Sequence, residues 1–138
     1  MSNNIVAVFG TFDILHPGHV MLLTEASKLG ELHVVLTTDD MVKHYKSKPP
    51  LHSFLDRKKR LEKLSIVKRI HPSDEISGAY MVLDLIKPDY VVLGYDQINM
   101  QKSILDKMHE LGLGCKISVV PAYRKKVYKS SKLGVLST

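Results

Sequence analysis

Five short runs of Val, Ile and Leu, separated by segments of helical pattern, leave few folds open to this 138-residue chain. The runs fall at 5–9, 32–37, 67–71, 90–93 and 117–120. Runs of this length and β-branched content are expected of strands covered on both faces. A first helix is predicted over 17–29, with Pro17 at its first position and Gly30 at a left-handed C′ position. Val20, Leu23, Ala26 and Leu29 would face the sheet. A second helix begins at Ser53, where Ser53-Phe54-Leu55-Asp56 matches a capping box with the shorter acid. Its apolar Phe54, Leu61 and Leu64 leave the basic cluster 57–60 mostly outward. A third helix, 77–86, carries Met81, Val82, Leu85 and Ile86 and stops at Pro88. A fourth, 101–111, carries Ile104, Leu105, Met108 and Leu111, followed by Gly112. Strands alternating with helices in this way predict one α/β domain over 1–138, built on a parallel sheet with right-handed crossovers. The stretch 38–52, with Lys46-Ser47-Lys48-Pro49-Pro50 in it, is predicted to be a long loop, and a loop that long in a compact domain is more often functional than idle.

Composition narrows the class of function. Hydrophobic residues make up 44% and charged residues 25%, the balance of a globular protein, and no apolar run approaches the roughly 20 residues of a membrane span. A single cysteine, Cys115, cannot form an internal disulfide and fits a reducing cytoplasm, as does an N-terminus without a basic, signal-like region. The net charge of +6 is unevenly spread. Segment 43–60 carries seven cations (Lys43, Lys46, Lys48, Arg57, Lys58, Lys59 and Arg60) against one acid, Asp56. Segment 121–138 carries five, Arg124, Lys125, Lys126, Lys129 and Lys132, against none, so the remainder of the chain is net acidic. Two basic stretches on an acidic body point to an anionic ligand held locally. Nucleic acid is the weaker candidate for that ligand. Aromatic residues are 7% of the chain with no Trp, and no recognition helix stands out.

The chemistry concentrates in ten residues at the end of the first strand: Gly10-Thr11-Phe12-Asp13-Ile14-Leu15-His16-Pro17-Gly18-His19. A strand that hands over to a helix at such a point offers a place for phosphate, because the helix N-terminus brings free N–H groups and the positive end of its dipole. Gly10 lets the chain leave the strand tightly, Thr11 supplies a hydroxyl and Phe12 a packing body. Asp13 suits a turn cap or a partner for metal-bound water, and Gly18 allows phosphate to approach the backbone. His16 and His19, three apart, can face one side. Zinc is a poor reading of the pair. There is no second cysteine, and His33, His44, His52, His71 and His109 show no spacing that completes a four-ligand site.

This ten-residue string resembles the signature of the cytidylyltransferase-like nucleotidyltransferases. The resemblance extends along the chain: Lys46-Ser47-Lys48-Pro49-Pro50 and Arg57 match the loop and basic helix after the second strand. Lys87-Pro88-Asp89-Tyr90-Val91-Val92-Leu93-Gly94-Tyr95-Asp96-Gln97 matches the fourth-strand segment, and Tyr128-Lys129-Ser130-Ser131-Lys132 resembles the late serine motif. It implies a Rossmann-like three-layer sandwich with strand order 3-2-1-4-5. It also implies transfer of a nucleoside monophosphate from ATP or CTP to a phosphate-bearing acceptor, with release of pyrophosphate. The size and the Leu93–Gln97 segment are most similar to the archaeal FAD synthases, which adenylate FMN. Glycerol-3-phosphate cytidylyltransferases and the sugar-phosphate adenylyltransferases of lipopolysaccharide-core pathways are the neighbouring readings. The late motif here lacks the Arg-Thr-Ser-Gly-Ile-Ser-Thr-Thr string of the cytidylyltransferases, which favours an adenylyl donor.

On that resemblance, His16 and His19 donate to triphosphate oxygens, with His19 at the α-phosphate. Gly10, Thr11, Phe12, Asp13, Gly18, Gly94, Asp96, Tyr128, Ser130 and Ser131 complete the nucleotide site. Lys46, a catalytic candidate, joins Lys48 and Arg57 in holding the acceptor phosphate. Mg²⁺ or another divalent cation arrives with the nucleotide rather than in a protein metal site, Asp13 lies near it through water, and the protein is a cytoplasmic homodimer.

Overall fold

Backbone geometry follows the apolar runs closely. The structure is a computed structural model that describes residues 4–123, and all five strands lie in one parallel sheet of order β3-β2-β1-β4-β5. The strands are β1 Ile5–Gly10, β2 Glu31–Leu36, β3 Val67–Pro72, β4 Tyr90–Gly94 and β5 Lys116–Val120. The helices are α1 Pro17–Ser27, α2 Asp39–Lys46, α3 Phe54–Glu62, α4 Val82–Ile86 and α5 Gln101–Glu110, and a 3₁₀ helix, Tyr95–Met100, runs directly into α5. The sheet order reverses at β1, between β2 and β4. A switch point of this kind opens a crevice at the carboxyl edge of the sheet, which is where ligands of such folds bind.

The two-residue repeat of each strand divides the core into two layers. Val6, Val8, Leu32, Val34, Leu36 and Val92 point to one face, where Leu22, Leu23 and Ala26 of α1 and Leu61 of α3 cover them. Ala7, Phe9, Val35, Val91 and Leu93 point to the other, under Val82, Leu83 and Ile86 of α4 and Ile104 and Met108 of α5. Right-handed crossovers put the helices before and after the switch point on opposite faces, as the alternation requires.

Several local expectations need correction. In α1 the buried positions are Leu22, Leu23 and Ala26, while Val20 is exposed. Met81, Leu85 and Leu105 also face outward, at 50%, 73% and 42% exposure. Gly30 has no positive φ. It is needed for another reason: a Cβ there would sit 2.5 Å from the Asn4 carbonyl oxygen, where the chain enters the first strand pair. Gly112 is the glycine in the left-handed region, at φ +72°. The 38–52 stretch is half helix. Thr38 caps α2 by accepting from the Met41 N–H, Asp39 and Asp40 occupy the first turn, Met41 and Val42 face inward, and Ser47 ends the helix at φ 62°. α4 is shorter than expected because Asp74 accepts from the N–H groups of Met81 and Val82 and so fixes its start. Lys87, at φ 50°, ends it.

At the β2–β3 edge, Glu31, His33 and His71 form a chain on the face shared with Val35. His33 Nε2 lies 2.9 Å from Glu31 Oε1 and His33 Nδ1 lies 3.0 Å from His71 Nε2. An ionised Glu31 makes His33 Nε2 the donor, so His33 Nδ1 accepts from His71 Nε2–H. The His33 bond holds the Glu31 carboxyl below its ordinary range. Burial, then the nearby His33 and Arg69, hold the His71 imidazole below its usual value. A depressed histidine pKa means that the unfolded chain binds more protons just below pH 6.5, so the stability it confers is complete above that pH and is lost as pH falls through the folded value. We therefore expect the melting temperature to fall between pH 7 and pH 5. His71→Gln, which keeps a donor toward His33 without titrating, should flatten that slope. An unchanged slope in the variant would remove His71 as its source.

Candidate active site

Phe12 sets the shape of the motif. It adopts φ 48°, an unfavourable conformation for a side chain of its size, and its ring folds back into the core at 3% exposure. That fold-back requires Gly10, because a Cβ at position 10 would lie 2.5 Å from the Phe12 ring. The ring then stands edge-on to the His19 imidazole, 5.1 Å between centroids. Phe12 thus acts from behind the site, holding His19, with its own ring in the core.

His16 is the N-cap of α1, and the two histidines cap one another. His16 Nδ1 accepts from the Gly18 N–H at 3.1 Å and the His19 N–H at 3.4 Å, while His19 Nδ1 accepts from the His16 N–H at 3.4 Å. The rings stack with centroids 3.7 Å apart and planes 20° from parallel. With Nδ1 of each ring accepting, the proton of the neutral imidazole sits on Nε2. Burial, and then the charge His16 would carry, hold the His19 pKa below its ordinary value, against the opposing pull of Ile14 and Asp96. His19 is therefore a neutral donor at pH 7. Free N–H groups were expected at this helix start, with phosphate approaching the backbone at Gly18; here the His16 ring accepts from the N–H groups of Gly18 and His19.

The rest of the motif is tied down by side chains from the 51–60 region. Asp13 accepts from the N–H groups of Leu51 at 2.7 Å and His52 at 2.9 Å. Burial raises its pKa, but those two bonds and the charges of His52 and Arg57 outweigh it and keep the carboxyl below its normal value. Arg60 donates to the Asp13 carbonyl at 2.8 Å. Arg57 is wholly buried and Lys58 and Arg60 are half-buried, which corrects two expectations: the cluster 57–60 is not mostly outward, and this guanidinium is spent inside the fold rather than on an acceptor phosphate. Its Nε donates to the His52 carbonyl at 3.0 Å, and its Nη1 donates to the Thr11 and Thr37 carbonyls at 2.9 and 2.8 Å. Its Nη2 meets Asp39 Oδ1 at 2.7 Å, and the Phe54 ring lies alongside, 5.8 Å from the guanidinium carbon. Arg57 is a positioning residue, joining the motif to the first turn of α2. Gln97 does similar work at the β4 end. Its Oε1 accepts from the Gly94 N–H at 3.0 Å and its Nε2 donates to the Phe9 carbonyl at 2.8 Å.

Two cavities meet at this point. The smaller, about 450 Å³, is lined by the motif from Gly10 to Ile14 together with His19 and Leu22. The larger, about 590 Å³, is lined by Val35, Met41, Tyr45, Tyr80, Val82 and Met100 among others. Phe9, Gly10, Thr11, Lys46, Asp96 and Gln97 line both. Phe12 and Leu22 belong to the α1 side of the core, whereas Val35 and Val82 belong to the α4–α5 side. The cavities therefore open on opposite faces of the sheet's carboxyl edge and join across Gly10 and Thr11. Gly10, Thr11, Asp13, His19, Lys46 and Asp96 are brought together; His16 is an exposed cap beside them, and Gly94 is buried behind, its position carrying no Cβ that would press within 3.0 Å of Asp96 Oδ1. Lys48 is exposed beyond the end of α2 and lines neither cavity. Tyr128, Ser130 and Ser131 lie outside the described residues. The wall residues Met41, Tyr45, Ile76, Tyr80 and Met100 had not been singled out for the site; the available signal was Tyr45 and Ile76 standing within polar segments.

Fold and site together define a doubly wound α/β protein with two joined cavities at its switch point. The chain belongs to the cytidylyltransferase-like family, whose model matches residues 7–133. It is similar to the FAD synthase of Aciduliprofundum boonei, 40% identical over 93% of this chain and 82% of that protein. It is also similar to the FAD synthase of Methanohalobium evestigatum, 39% identical over 81% and 73%. Among solved structures, the lipopolysaccharide core biosynthesis protein of Thermoplasma volcanium superposes with a TM-score of 0.80 at 33% identity, covering 88% of this chain and 98% of that one.

The site depends on Arg57 for its shape. Arg57→Ala leaves three carbonyls and Asp39 without their donor and should destabilise the fold by about 3–5 kcal/mol. Arg57→Lys should recover only part of that loss, since one ammonium cannot span four acceptors. Denaturant unfolding checks both, and an Arg57→Ala midpoint equal to that of the parent protein would refute the tie.

Proposed function

We propose that this protein is an FMN adenylyltransferase, a FAD synthase working as a single domain: it transfers AMP from ATP to the phosphate of FMN and releases pyrophosphate. The observation that carries the reading is the pair of cavities joined across Gly10 and Thr11, one against His19 at the start of α1 and one larger and more apolar. A transfer between two phosphorylated molecules needs two such compartments with one common point. The FAD synthase names of the relatives support the choice of donor and acceptor.

In this mechanism an acceptor phosphate oxygen attacks the α-phosphorus of ATP, the bond to the α,β-bridging oxygen breaks, and pyrophosphate departs on the opposite side. Both reactants are anionic, so positioning and charge stabilisation carry the rate, and no covalent enzyme intermediate is needed. The His19 Nε2–H donates to the α-phosphate as charge develops, and His16 fixes the His19 ring. Lys46, at the rim of both cavities, draws the acceptor phosphate toward the same point; Lys48, farther out, steers it in. Asp96 holds the ribose, and Tyr128, Ser130 and Ser131 close on the triphosphate. The substrate is the Mg²⁺ complex of ATP. Asp13, whose two oxygens accept the Leu51 and His52 N–H groups, would meet that ion through water.

No helix of the described residues is long and apolar enough to cross a membrane. A cytoplasmic homodimer belongs to the same proposal, its compartment argued from the lone cysteine and its assembly from the family resemblance. A sugar-phosphate acceptor is the second reading, favoured by the name of the Thermoplasma volcanium neighbour.

A pyrophosphate-release assay pairing ATP or CTP with FMN, glycerol 3-phosphate and a sugar 1-phosphate tests the assignment. Turnover is expected with ATP and FMN. His19→Ala should cut it by ~10²-fold or more while remaining folded, the effect of deleting one preorganised donor. Near-normal turnover in that variant removes His19 from the mechanism, and turnover with another pair alone replaces the acceptor assignment.

A further inference from the structure

Nothing in phosphate chemistry requires the larger cavity. At about 590 Å³ it lies within the ~300–1,000 Å³ range of pockets that bury most of a drug-sized ligand, far more than an acceptor phosphate or a three-carbon polyol fills. Its walls combine both kinds of surface. Met41, Tyr45, Ile76, Tyr80, Val82 and Met100 supply apolar and aromatic wall, and hydroxyl and amide side chains such as Ser73, Ser77, Asn99 and Ser103 stand among them with the charged Lys46, Asp74 and Asp96. Thioether and aromatic walls interleaved with hydrogen-bonding groups suit a flat heteroaromatic body with polar edges.

The same cavity carries a clasp. Tyr45 Oη and Ser77 Oγ lie 2.8 Å apart and join the last turn of α2 to the 73–81 segment, across 32 residues of sequence. The segment is itself shaped for the purpose: Gly78 and Tyr80 adopt φ 77° and 48°, Asp74 holds the start of α4, and the Tyr80 ring stands edge-on to Phe9 at 5.7 Å. Tyr45 immediately precedes Lys46, which lines both cavities.

From these observations we infer that the larger cavity is the subsite for the acceptor's ring system, an isoalloxazine, and that Tyr45, Ile76 and Met100 determine acceptor specificity through it. The inference rests on the reading of the protein as an FMN adenylyltransferase. The ring lies under the Tyr45–Ser77 clasp, its phosphate reaches toward Lys46 at the junction, and ATP occupies the α1 side. The acceptor is thereby selected by its ring, and Lys46 brings only its phosphate end to the reacting point.

Binding and turnover separate the two readings. Binding of FMN and of riboflavin, which has the ring without the phosphate, is measured by quenching of flavin fluorescence; turnover is measured by pyrophosphate release. The intact protein should bind both flavins. Tyr45→Ala and Ile76→Glu alter exposed positions that the fold does not need, and each should weaken both flavins by about tenfold or more while leaving the KM for ATP within about twofold. Flavin binding with this pattern supports the subsite even if FMN is never adenylated, in which case only the activity assignment fails. Adenylation of FMN with riboflavin unbound, or with both variants at parental flavin affinity, overturns the subsite and leaves the activity standing. An intact protein that binds neither flavin overturns both.

Discussion

One buried guanidinium holds this active site together. Arg57 reaches out of α3 to the Thr11 carbonyl in the motif, the Thr37 carbonyl at the end of β2, the His52 carbonyl in its own approach loop and the Asp39 carboxylate in the first turn of α2. The acceptors come from three stretches of chain, residue 11, residues 37–39 and residue 52. A buried cation is costly unless its donors are matched, and matching them here fixes those stretches against α3. Two residues farther along, Asp13 repeats the tie, its carboxylate to the 51–52 backbone and its carbonyl to Arg60 of α3. Lys46 owes its position to this arrangement, since it ends the helix that Arg57 anchors.

The histidines depend on a second constraint, which is steric. Gly10 is glycine so that Phe12 can turn back, Phe12 turns back so that its ring can support His19, and His19 caps the His16 that caps it. The strain accepted at Phe12, with its left-handed backbone, is located where it fixes a donor rather than spread through the fold. The effect of burial and of a stacked partner is to keep His19 neutral, with its remaining proton on Nε2.

Much of this was legible from residues alone, for identifiable reasons. The five strands followed from apolar runs and alternation, which are local and periodic, and their order from the family resemblance. The Gly10–His19 string pointed to a phosphate site as a whole, through its resemblance to a family signature; the two histidines alone read equally as the helix cap they form. Arg57 was misassigned because charge is visible in sequence while burial of that charge is not; four backbone and side-chain acceptors from separate segments converge on it only once the sheet has formed. α2 was overlooked for a different reason. Its signals, Thr38 as cap and two acids in the first turn, were present, but Lys46-Ser47-Lys48-Pro49-Pro50 behind them reads as loop and dominated the stretch. The walls of the larger cavity come from α2, the 73–81 segment and the 3₁₀ helix, none of which has a motif, so no spacing could have joined them.

The central claim is that donor and acceptor approach one another from opposite faces of the sheet's carboxyl edge, meeting at Gly10, Thr11 and Lys46. A crystal structure with FMN and a non-hydrolysable ATP analogue bound together tests it directly. The account predicts the triphosphate against His16 and His19 on the α1 side, and the flavin ring between Tyr45 and Met100 on the α4–α5 side. A flavin ring packed on the α1 side, or a triphosphate in the larger cavity, would contradict it.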